Sequence, residues 1–134
     1  MDWDSAQAQC QSHGATLYEP ASVQEANQVR AYATNVGLGK FWIGVTDKAQ
    51  EGTWAYASDD QACTISNWGK NEPNDYDHGD GAGGEDCAEI YEDGTWNDCS
   101  CLASDRNFIC TYNVEPWIVA AFEYSKTLKV KYLS

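Results

Sequence analysis

Residues 71–98 carry the sequence NEPNDYDHGDGAGGEDCAEIYEDGTWND. It contains ten acidic residues and no lysine or arginine. Carboxylates at this density repel one another unless a cation neutralises them, and a hard divalent cation with oxygen ligands is the usual solution. For any one of these residues, an ordinary solvated acidic surface remains the alternative.

Two clusters in and around this stretch supply oxygen ligands. They are Glu72-Pro73-Asn74, followed by Glu85-Asp86, and Trp96-Asn97-Asp98. Calcium accepts about six to eight oxygen ligands, including neutral amide carbonyls, whereas magnesium requires stricter octahedral geometry. The pattern therefore favours calcium, with ordinary polar loop residues as the alternative.

Composition limits the classes of protein to be considered. A chain of 134 residues suits one domain, and its net charge of −13 argues against nucleic acid or acidic lipid as a partner and against membrane insertion. Six cysteines indicate disulfides and an oxidising compartment. Zinc is the competing interpretation, but Cys99-Ser100-Cys101 is C-x-C rather than C-x-x-C, and the other cysteines are scattered.

The local pattern predicts an α+β fold. A helix is expected over Ser5–His13, ending at Gly14, and the capping box Ser22-Val23-Gln24-Glu25 predicts a second helix to about Asn35. A long Gly-rich loop and short strands follow, which is an α+β order. The strands are expected at residues 15–18, 41–45, 53–56, 89–91 and 108–112.

The motifs Trp42-Ile43-Gly44, Glu72-Pro73-Asn74 and Trp96-Asn97-Asp98 resemble, in this order, those of C-type lectin domains. Glu85 stands two residues before Cys87, as it does in that family. The resemblance covers about residues 3–112. It implies a disulfide-stapled C-type lectin-like fold of two helices and short antiparallel sheets with a long calcium-binding loop region. It also implies calcium-dependent carbohydrate binding without catalysis.

The resemblance assigns residues to two calcium sites. In the family, the ligands of the primary calcium also contact two vicinal hydroxyls of the sugar, and the bond before Pro73 is cis. The primary set would be Glu72, Asn74, Glu85, Asn97 and Asp98. The auxiliary set would be Asp47, Glu51, Asp75, Glu85 and Asp86.

The expected sugar class rests on the same resemblance. Glu72-Pro73-Asn74 goes with mannose, GlcNAc or fucose in the family. The Gly-rich segment after Asn74 is instead similar to the loop of galactose-binding members, in which an aromatic residue packs on the apolar face of the sugar, and Tyr76 stands at that position. We give more weight to the ligands, because they touch the hydroxyls directly.

The disulfides are also implied by the family. Its members pair the cysteine of the first helix with the last cysteine, and pair the two cysteines near the calcium loops. Here these pairs are Cys10–Cys110 and Cys87–Cys101. The two remaining cysteines then give Cys63–Cys99 as a third bond, which is not standard in the family.

One domain is expected over residues 1–134, with a main body over 1–112 and a tail over 113–134. The family begins with a strand that pairs with its last one, and this chain begins almost at the helix. We predict that the tail replaces that strand in a circularly permuted topology, with Leu128–Tyr132 paired to Phe108–Tyr112. An unrelated extension and a tail-swapped dimer are the alternatives.

The expected partners are glycans or glycoproteins, with a homo-oligomer as one form of assembly. The expected location is extracellular or secreted, although no leader is present in the sequence. Enzymatic activity is not expected, because no Ser-His-Asp or Cys-His set is visible and His13 and His78 are interpreted as surface residues. The rival function is binding of a protein, or of a surface such as ice, by the same fold.

Overall fold

The computed structural model describes residues 1–112 with their side chains and, beyond them, the backbone of residues 117–122 and 128–133. The fold is α+β, as the sequence predicts. Two helices pack against a sheet, and a long segment without strands lies between the third strand and the fourth. Within the described part of the chain, no helix is long and apolar enough to cross a membrane.

Helix α1 spans Trp3–Ser12 and begins two residues before the expected start. The reason is its N-cap, because the Asp2 carboxylate accepts a hydrogen bond from the Ser5 backbone N–H at 2.8 Å. The helix ends where Gly14 adopts the left-handed conformation, with φ of 74°.

Helix α2 spans Val23–Asn35, and its start confirms half of the predicted capping box. The Ser22 hydroxyl accepts from the Glu25 backbone N–H at 3.0 Å. The Glu25 carboxylate accepts from the Tyr18 hydroxyl at 2.8 Å and from the Ala21 N–H at 3.3 Å. Glu25 therefore ties the start of the helix to Tyr18, the residue that follows β1.

The strands form one sheet whose central strand is β2. The order across the sheet is β5-β4-β2-β6-β7-β8, with β3 paired to β2 and β1 paired to β6. The β2–β6 pair is parallel and the others are antiparallel. The bounds are β1 Thr16–Leu17, β2 Phe41–Thr46, β3 Ala55–Tyr56, β4 Cys87–Ile90, β5 Trp96–Cys99, β6 Asn107–Tyr112, β7 Trp117–Phe122 and β8 Leu128–Leu133.

Strand β2 is buried on both faces. Phe41, Ile43 and Val45 pack into a core cluster with α2, whereas Trp42 packs into a second cluster with α1. Alternate side chains of a strand point to opposite faces, so one apolar run supplies both cores. This explains why residues 41–45 form a continuous apolar run rather than an alternating pattern.

The structure contains the two disulfides that the resemblance implies. Cys10–Cys110 ties α1 to β6, with 5.4 Å between the Cα atoms. Cys87–Cys101 ties β4 to the turn after β5, with 5.2 Å between the Cα atoms.

The expected third disulfide, Cys63–Cys99, is corrected by the structure, in which both cysteines are free thiols. The two side chains belong to different core clusters. The Cys63 thiol donates to the Ile65 carbonyl at 3.3 Å, and the Cys99 sulfur accepts from Arg106 at 3.3 Å. Each sulfur thus has its own partner, and the expected bond between them is not formed.

The expected pairing of Leu128–Tyr132 with Phe108–Tyr112 is also wrong. Strand β7 lies between them: Thr111 pairs with Val119, and Val119 pairs in turn with Lys131. Since β7 follows β6 after a short connection, the two form an antiparallel pair in the way that consecutive strands usually do. The tail thus contributes β7 and β8 to the sheet, and the permuted topology stays a prediction.

Gly44 lies where β2 crosses the chain that leaves β1. Its N–H donates to the Tyr18 carbonyl at 2.7 Å, and its carbonyl accepts from the Ala57 N–H at 2.9 Å. A Cβ at this position would lie 2.9 Å from the Leu17 carbonyl oxygen and 2.9 Å from Glu19 Cγ. The close approach of two backbones therefore requires glycine here.

We expect Gly44→Ala to lower the free energy of unfolding by about 1–3 kcal/mol, because overpacking forces the backbone of β1 away. Gly69→Ala is the matched control, since a Cβ there would meet only ordinary contacts at 3.5 Å or more. Urea unfolding of both variants in the same calcium-free buffer measures the difference. Equal stability of the two variants would contradict the crowding at Gly44.

Candidate functional site

The acidic loop is anchored to the sheet by tryptophans. Trp68 pairs with Trp96 of β5, and their ring centroids lie 5.8 Å apart. Trp54 packs against Trp68 with a centroid distance of 4.8 Å. The Gly69 N–H donates to the Trp96 carbonyl at 2.9 Å. The start of the loop is therefore fixed against β5, three residues before Glu72.

Glu72 enters the site directly after this anchor. Its backbone N–H donates to the Gly69 carbonyl at 3.0 Å, and the Glu72–Pro73 peptide bond is cis, as expected. The Glu72 side chain is half-buried, and its Oε2 atom is buried without a hydrogen-bond partner among the described residues. A buried carboxylate oxygen in this state is costly unless something binds it.

Asp98 fixes the loop backbone at Asn74 and Asp75. Its side chain is 0% exposed, one carboxylate oxygen accepts from the Asn74 N–H at 3.1 Å, and the other accepts from the Asp75 N–H at 2.6 Å. A single side chain of β5 thus holds the backbone that follows Pro73.

Glu85 completes the group from the far end of the loop. It is 5% exposed, and its N–H donates to the Asp75 carboxylate at 2.8 Å. One carboxylate oxygen accepts from the Tyr76 N–H at 3.3 Å, and the other lies 2.6 Å from His78 Nε2. The sequence predicts only that His78 is a surface residue, and its position inside the acidic stretch is the one signal of this contact with Glu85.

Three carboxylates converge at this point. One oxygen from each of Glu72, Glu85 and Asp98 lies within 4.8 Å of the others. Burial, followed by the adjacent Asp98 carboxylate and the negative charge of Glu85, raises the pKa of Glu72 to about 7. Burial also raises the pKa of Glu85. The group therefore favours binding of a positive charge, either protons or a cation.

The two asparagines of the expected primary set lie beside this group. Asn74 is exposed, and its backbone is held by Asp98. Asn97 precedes Asp98 on β5 and is half-buried, and its amide nitrogen donates to Glu89 Oε1 at 3.2 Å. The contact with Glu89 was not anticipated from the sequence.

A second acidic group is formed by two residues that follow β2 and by Asp86, which precedes β4. One oxygen from each of Asp47, Glu51 and Asp86 lies within 4.8 Å of the others. Asp47 is 2% exposed, and its Oδ2 accepts from the Gly52 N–H at 2.9 Å. Its Oδ1 is buried with no hydrogen-bond partner in the described part of the chain.

The second group also places negative charges close together, and the pKa of one of its carboxyls is raised. Burial, followed by interactions with Asp47, raises the pKa of Glu51 to about 8. The negative charges of Asp75 and Asp86 contribute to the same rise. Asp75, expected in the auxiliary set, is thus near this group, while its carboxylate also accepts from the Glu85 N–H.

Tyr76 projects from the loop next to the first group. It is 61% exposed, and its ring packs edge-on against the His78 ring with 5.0 Å between centroids. An exposed aromatic ring beside a polar group is suited to contact the apolar face of a ligand.

Both acidic groups fit a hard divalent cation. Their donors are carboxylate oxygens, which suit calcium rather than the thiolate and imidazole sites of zinc. The buried oxygens of Glu72 and Asp47 that lack a hydrogen-bond partner among the described residues also support cation binding, because each group has an acceptor that is free to bind an ion.

Comparison with known proteins places the chain in a family. Residues 1–112 match the family model described as the lectin C-type domain. Collectin-11 of Bos taurus is 36% identical over 111 residues, which cover 82% of this chain and 39% of that protein. Collectin-10 of Xenopus tropicalis is 32% identical over 111 residues, covering 83% of this chain and 38% of that protein. The chain therefore spans about two fifths of the length of these relatives.

Solved structures agree with this assignment. The human scavenger receptor C-type lectin carbohydrate-recognition domain superposes with a TM-score of 0.70 and 32% identity, covering 82% of this chain and 81% of that one. The cow CD23 carbohydrate-recognition domain, solved in the presence of a GlcNAc2Man3 oligosaccharide, gives a TM-score of 0.64 and 30% identity. It covers 75% of this chain and 71% of that one. The chain belongs to the C-type lectin domain family, which is a family of lectin domains and not of enzymes.

Proposed function

We infer that this domain binds carbohydrate in a calcium-dependent manner at the group formed by Glu72, Glu85 and Asp98. The observation that carries the inference is the convergence of three carboxylates around a buried Glu72 oxygen that has no partner among the described residues. Such a group is costly unless a positive charge binds to it. Family membership and the cow CD23 domain solved with an oligosaccharide support a sugar as the ligand.

The side chains of the site can bind both a cation and a sugar. Glu72, Glu85 and Asp98 supply carboxylate oxygens, and Asn74 and Asn97 supply amide oxygens. When bound, calcium supplies coordination positions for two vicinal hydroxyls. Carboxylates accept hydrogen bonds and amide nitrogens donate them, so the set can read the orientation of each hydroxyl.

The order of the side chains indicates the sugar class. Glu72 with Asn74 is the arrangement that goes with mannose, GlcNAc or fucose in the family that this chain resembles. The exposed Tyr76 ring stands where it can pack on the apolar face of a sugar. We assign the mannose class to the site, with Tyr76 as an additional contact.

The second group is an auxiliary calcium site in this proposal. Its clustered oxygens belong to Asp47, Glu51 and Asp86. Asp75 accepts from the N–H of Glu85, a member of the first group, and so links the two groups. A cation there would neutralise the charge that raises the pKa of Glu51. It would thereby stabilise the loop that presents the primary ligands.

The two disulfides suit an oxidising location, so we place the domain outside the cell, with glycans or glycoproteins as partners. Assembly into a homo-oligomer or a tail-swapped dimer belongs to the same proposal. The trimeric structure of the Clec4f receptor shows assembly for a related domain, to which this chain is 31% identical with a TM-score of 0.62.

We expect calcium to raise the melting temperature, and removal of calcium by EDTA to cancel the gain. A ligand that binds only the folded state stabilises it by about 2.7 kcal/mol at a hundredfold excess over Kd. Differential scanning fluorimetry measures the shift, and binding to immobilised mannan is followed in the same buffers. Mannan binding that persists in EDTA would contradict the calcium dependence, and retained protein or ice binding without sugar binding would favour the rival function.

Glu72→Ala is the matched mutation for this experiment. It removes a ligand and a hydroxyl partner together, so calcium-dependent mannan binding should be lost while the domain stays folded. Glu92→Ala is the control, because it removes the same charge from an exposed position of the same acidic stretch. Loss of binding in both variants would indicate a general charge effect rather than a ligand role.

We expect Glu72→Gln with Asn74→Asp to move the preference toward galactose. The swap exchanges amide and carboxylate around the same ion and reverses which hydroxyl partner donates. Competition by free galactose and mannose for an immobilised glycan measures the preference. Adding Tyr76→Ala should then remove the galactose binding, since the ring supplies the apolar contact. A double variant that binds neither sugar would show that the loop does not act as its sequence suggests.

Calcium binding should weaken as pH falls through about 7 toward 5, because protons compete for Glu72. The pKa of Glu72 is raised from 4.5, so the calcium-free protein takes up a proton on folding between about pH 4.5 and 7. The contribution of Glu72 to the stability of the calcium-free protein is therefore greatest below that range and falls as pH rises through it. The additional stability that calcium confers increases over the same range. Melting temperatures with and without calcium from about pH 5 to 8 test both signs. A gain from calcium that does not change with pH would exclude this linkage.

A further inference from the structure

A fully buried acidic residue lies beneath the site and is not one of its expected ligands. Glu89 is 0% exposed and stands on β4 opposite Asn97 of β5. Its Oε1 accepts from Asn97 Nδ2 at 3.2 Å, and its Oε2 accepts from Arg106 Nε at 2.7 Å. Both carboxylate oxygens are therefore used, one toward the site and one toward the arginine.

Arg106 occupies one oxygen of the Glu89 carboxylate. The guanidinium is largely buried, and it also donates to the Asp105 carboxylate and, at 3.3 Å, to the Cys99 sulfur. Its N–H groups are donors only, so the atom that faces it from Glu89 must be an acceptor. The Glu89 Oε2 atom is therefore committed to the guanidinium, at 2.7 Å from Nε, and Oε1 is the oxygen that remains for Asn97.

This pair determines which way the Asn97 amide points. Glu89 Oε1 accepts from the Asn97 amide nitrogen, so the nitrogen is the end of the amide that faces Glu89. The amide oxygen then lies at the other end, and one N–H of the nitrogen remains for another acceptor. In an isolated motif the two orientations differ little, since amide nitrogen and oxygen have the same shape.

We propose that Glu89, held by Arg106, is a positioning residue that orients the Asn97 amide so that its oxygen is available to the cation. The inference rests on the proposed calcium site and adds to it a pair of residues outside the ligand set. Asn97 and Glu89 are cross-strand neighbours, so the orientation is built into the β4–β5 pair rather than into the loop. The orientation of this one ligand therefore depends on the sheet and not on the loop.

Glu89→Gln tests the proposal because Arg106 dictates how the new side chain turns. The glutamine oxygen must face the guanidinium, so its NH2 group faces Asn97 and the Asn97 amide flips its nitrogen toward the cation. We expect calcium affinity, measured by isothermal titration calorimetry, to fall by about tenfold to a hundredfold. In calcium-free protein, the Asn97 side-chain amide resonances in a ¹⁵N–¹H spectrum should shift and lose their protection from exchange.

Two further variants separate orientation from stability and charge. Glu89→Gln with Arg106→Met frees the glutamine to turn its oxygen to Asn97, so calcium affinity should recover to within a few-fold of wild type (about 0.7 kcal/mol is a factor of three). Asp105→Asn removes the negative charge of the other carboxylate that Arg106 contacts, but it leaves Glu89, the acceptor of Asn97, in place. It should leave both the calcium affinity and the Asn97 amide resonances unchanged.

The outcomes distinguish this inference from the proposed function. If the wild-type domain does not bind calcium, the calcium site itself is wrong and the positioning role fails with it. If wild type binds and Glu89→Gln binds equally well, only the positioning role is overturned. If Glu89→Gln loses affinity but the double variant does not regain it, or if the Asn97 resonances of Glu89→Gln match wild type, the pair is structural and the proposal is likewise overturned. Recovery in the double variant with shifted Asn97 resonances in the single variant supports it.

Discussion

The structure depends on the Asp98 carboxylate, which joins the sheet to the loop. Both of its oxygens accept backbone N–H groups from the loop, at 3.1 and 2.6 Å, while the residue itself is fixed within β5. Buried hydrogen bonds to a charged acceptor are stronger than neutral ones, and breaking them leaves a buried charge without partners. Because Asp98 also belongs to the three-carboxylate group, the residue that orders the loop is one of the expected ligands.

This coupling explains why so many negative charges can be concentrated in one small region. Each acidic group is held by backbone donors that point at its carboxylates, such as Gly52 N–H on Asp47 and Tyr76 N–H on Glu85. These donors order the acids but do not neutralise them, and the raised pKa values of Glu72 and Glu51 show the remaining cost. A site built for binding is expected to carry such a cost in its ligand-free form, and the two disulfides and the twin cores supply stability elsewhere.

Much of this arrangement could be predicted from local sequence, and the exceptions have physical causes. Ser22 with Glu25 predicted the start of α2, and the apolar run at residues 41–45 predicted β2, because both signals act over a few residues. The sequence pattern does not predict strand β5, because Trp96-Asn97-Asp98 is interpreted as a ligand motif. The third disulfide and the neighbour of β6 were wrong because both depend on distances between segments that are remote in sequence.

The same reasoning explains why the ligand motifs did not reveal Glu89 or Arg106. A motif names the residue types that can bind a cation, but an asparagine presents either oxygen or nitrogen depending on what lies behind it. Glu89 is separated from Asn97 by eight residues along the chain, and Arg106 by nine residues on the other side. Only the β4–β5 pairing and the return of the chain into β6 bring the three together. Local motifs therefore identify the side chains that form the site. The orientation of the Asn97 amide depends instead on the buried Glu89–Arg106 pair, which forms only when the sheet has folded.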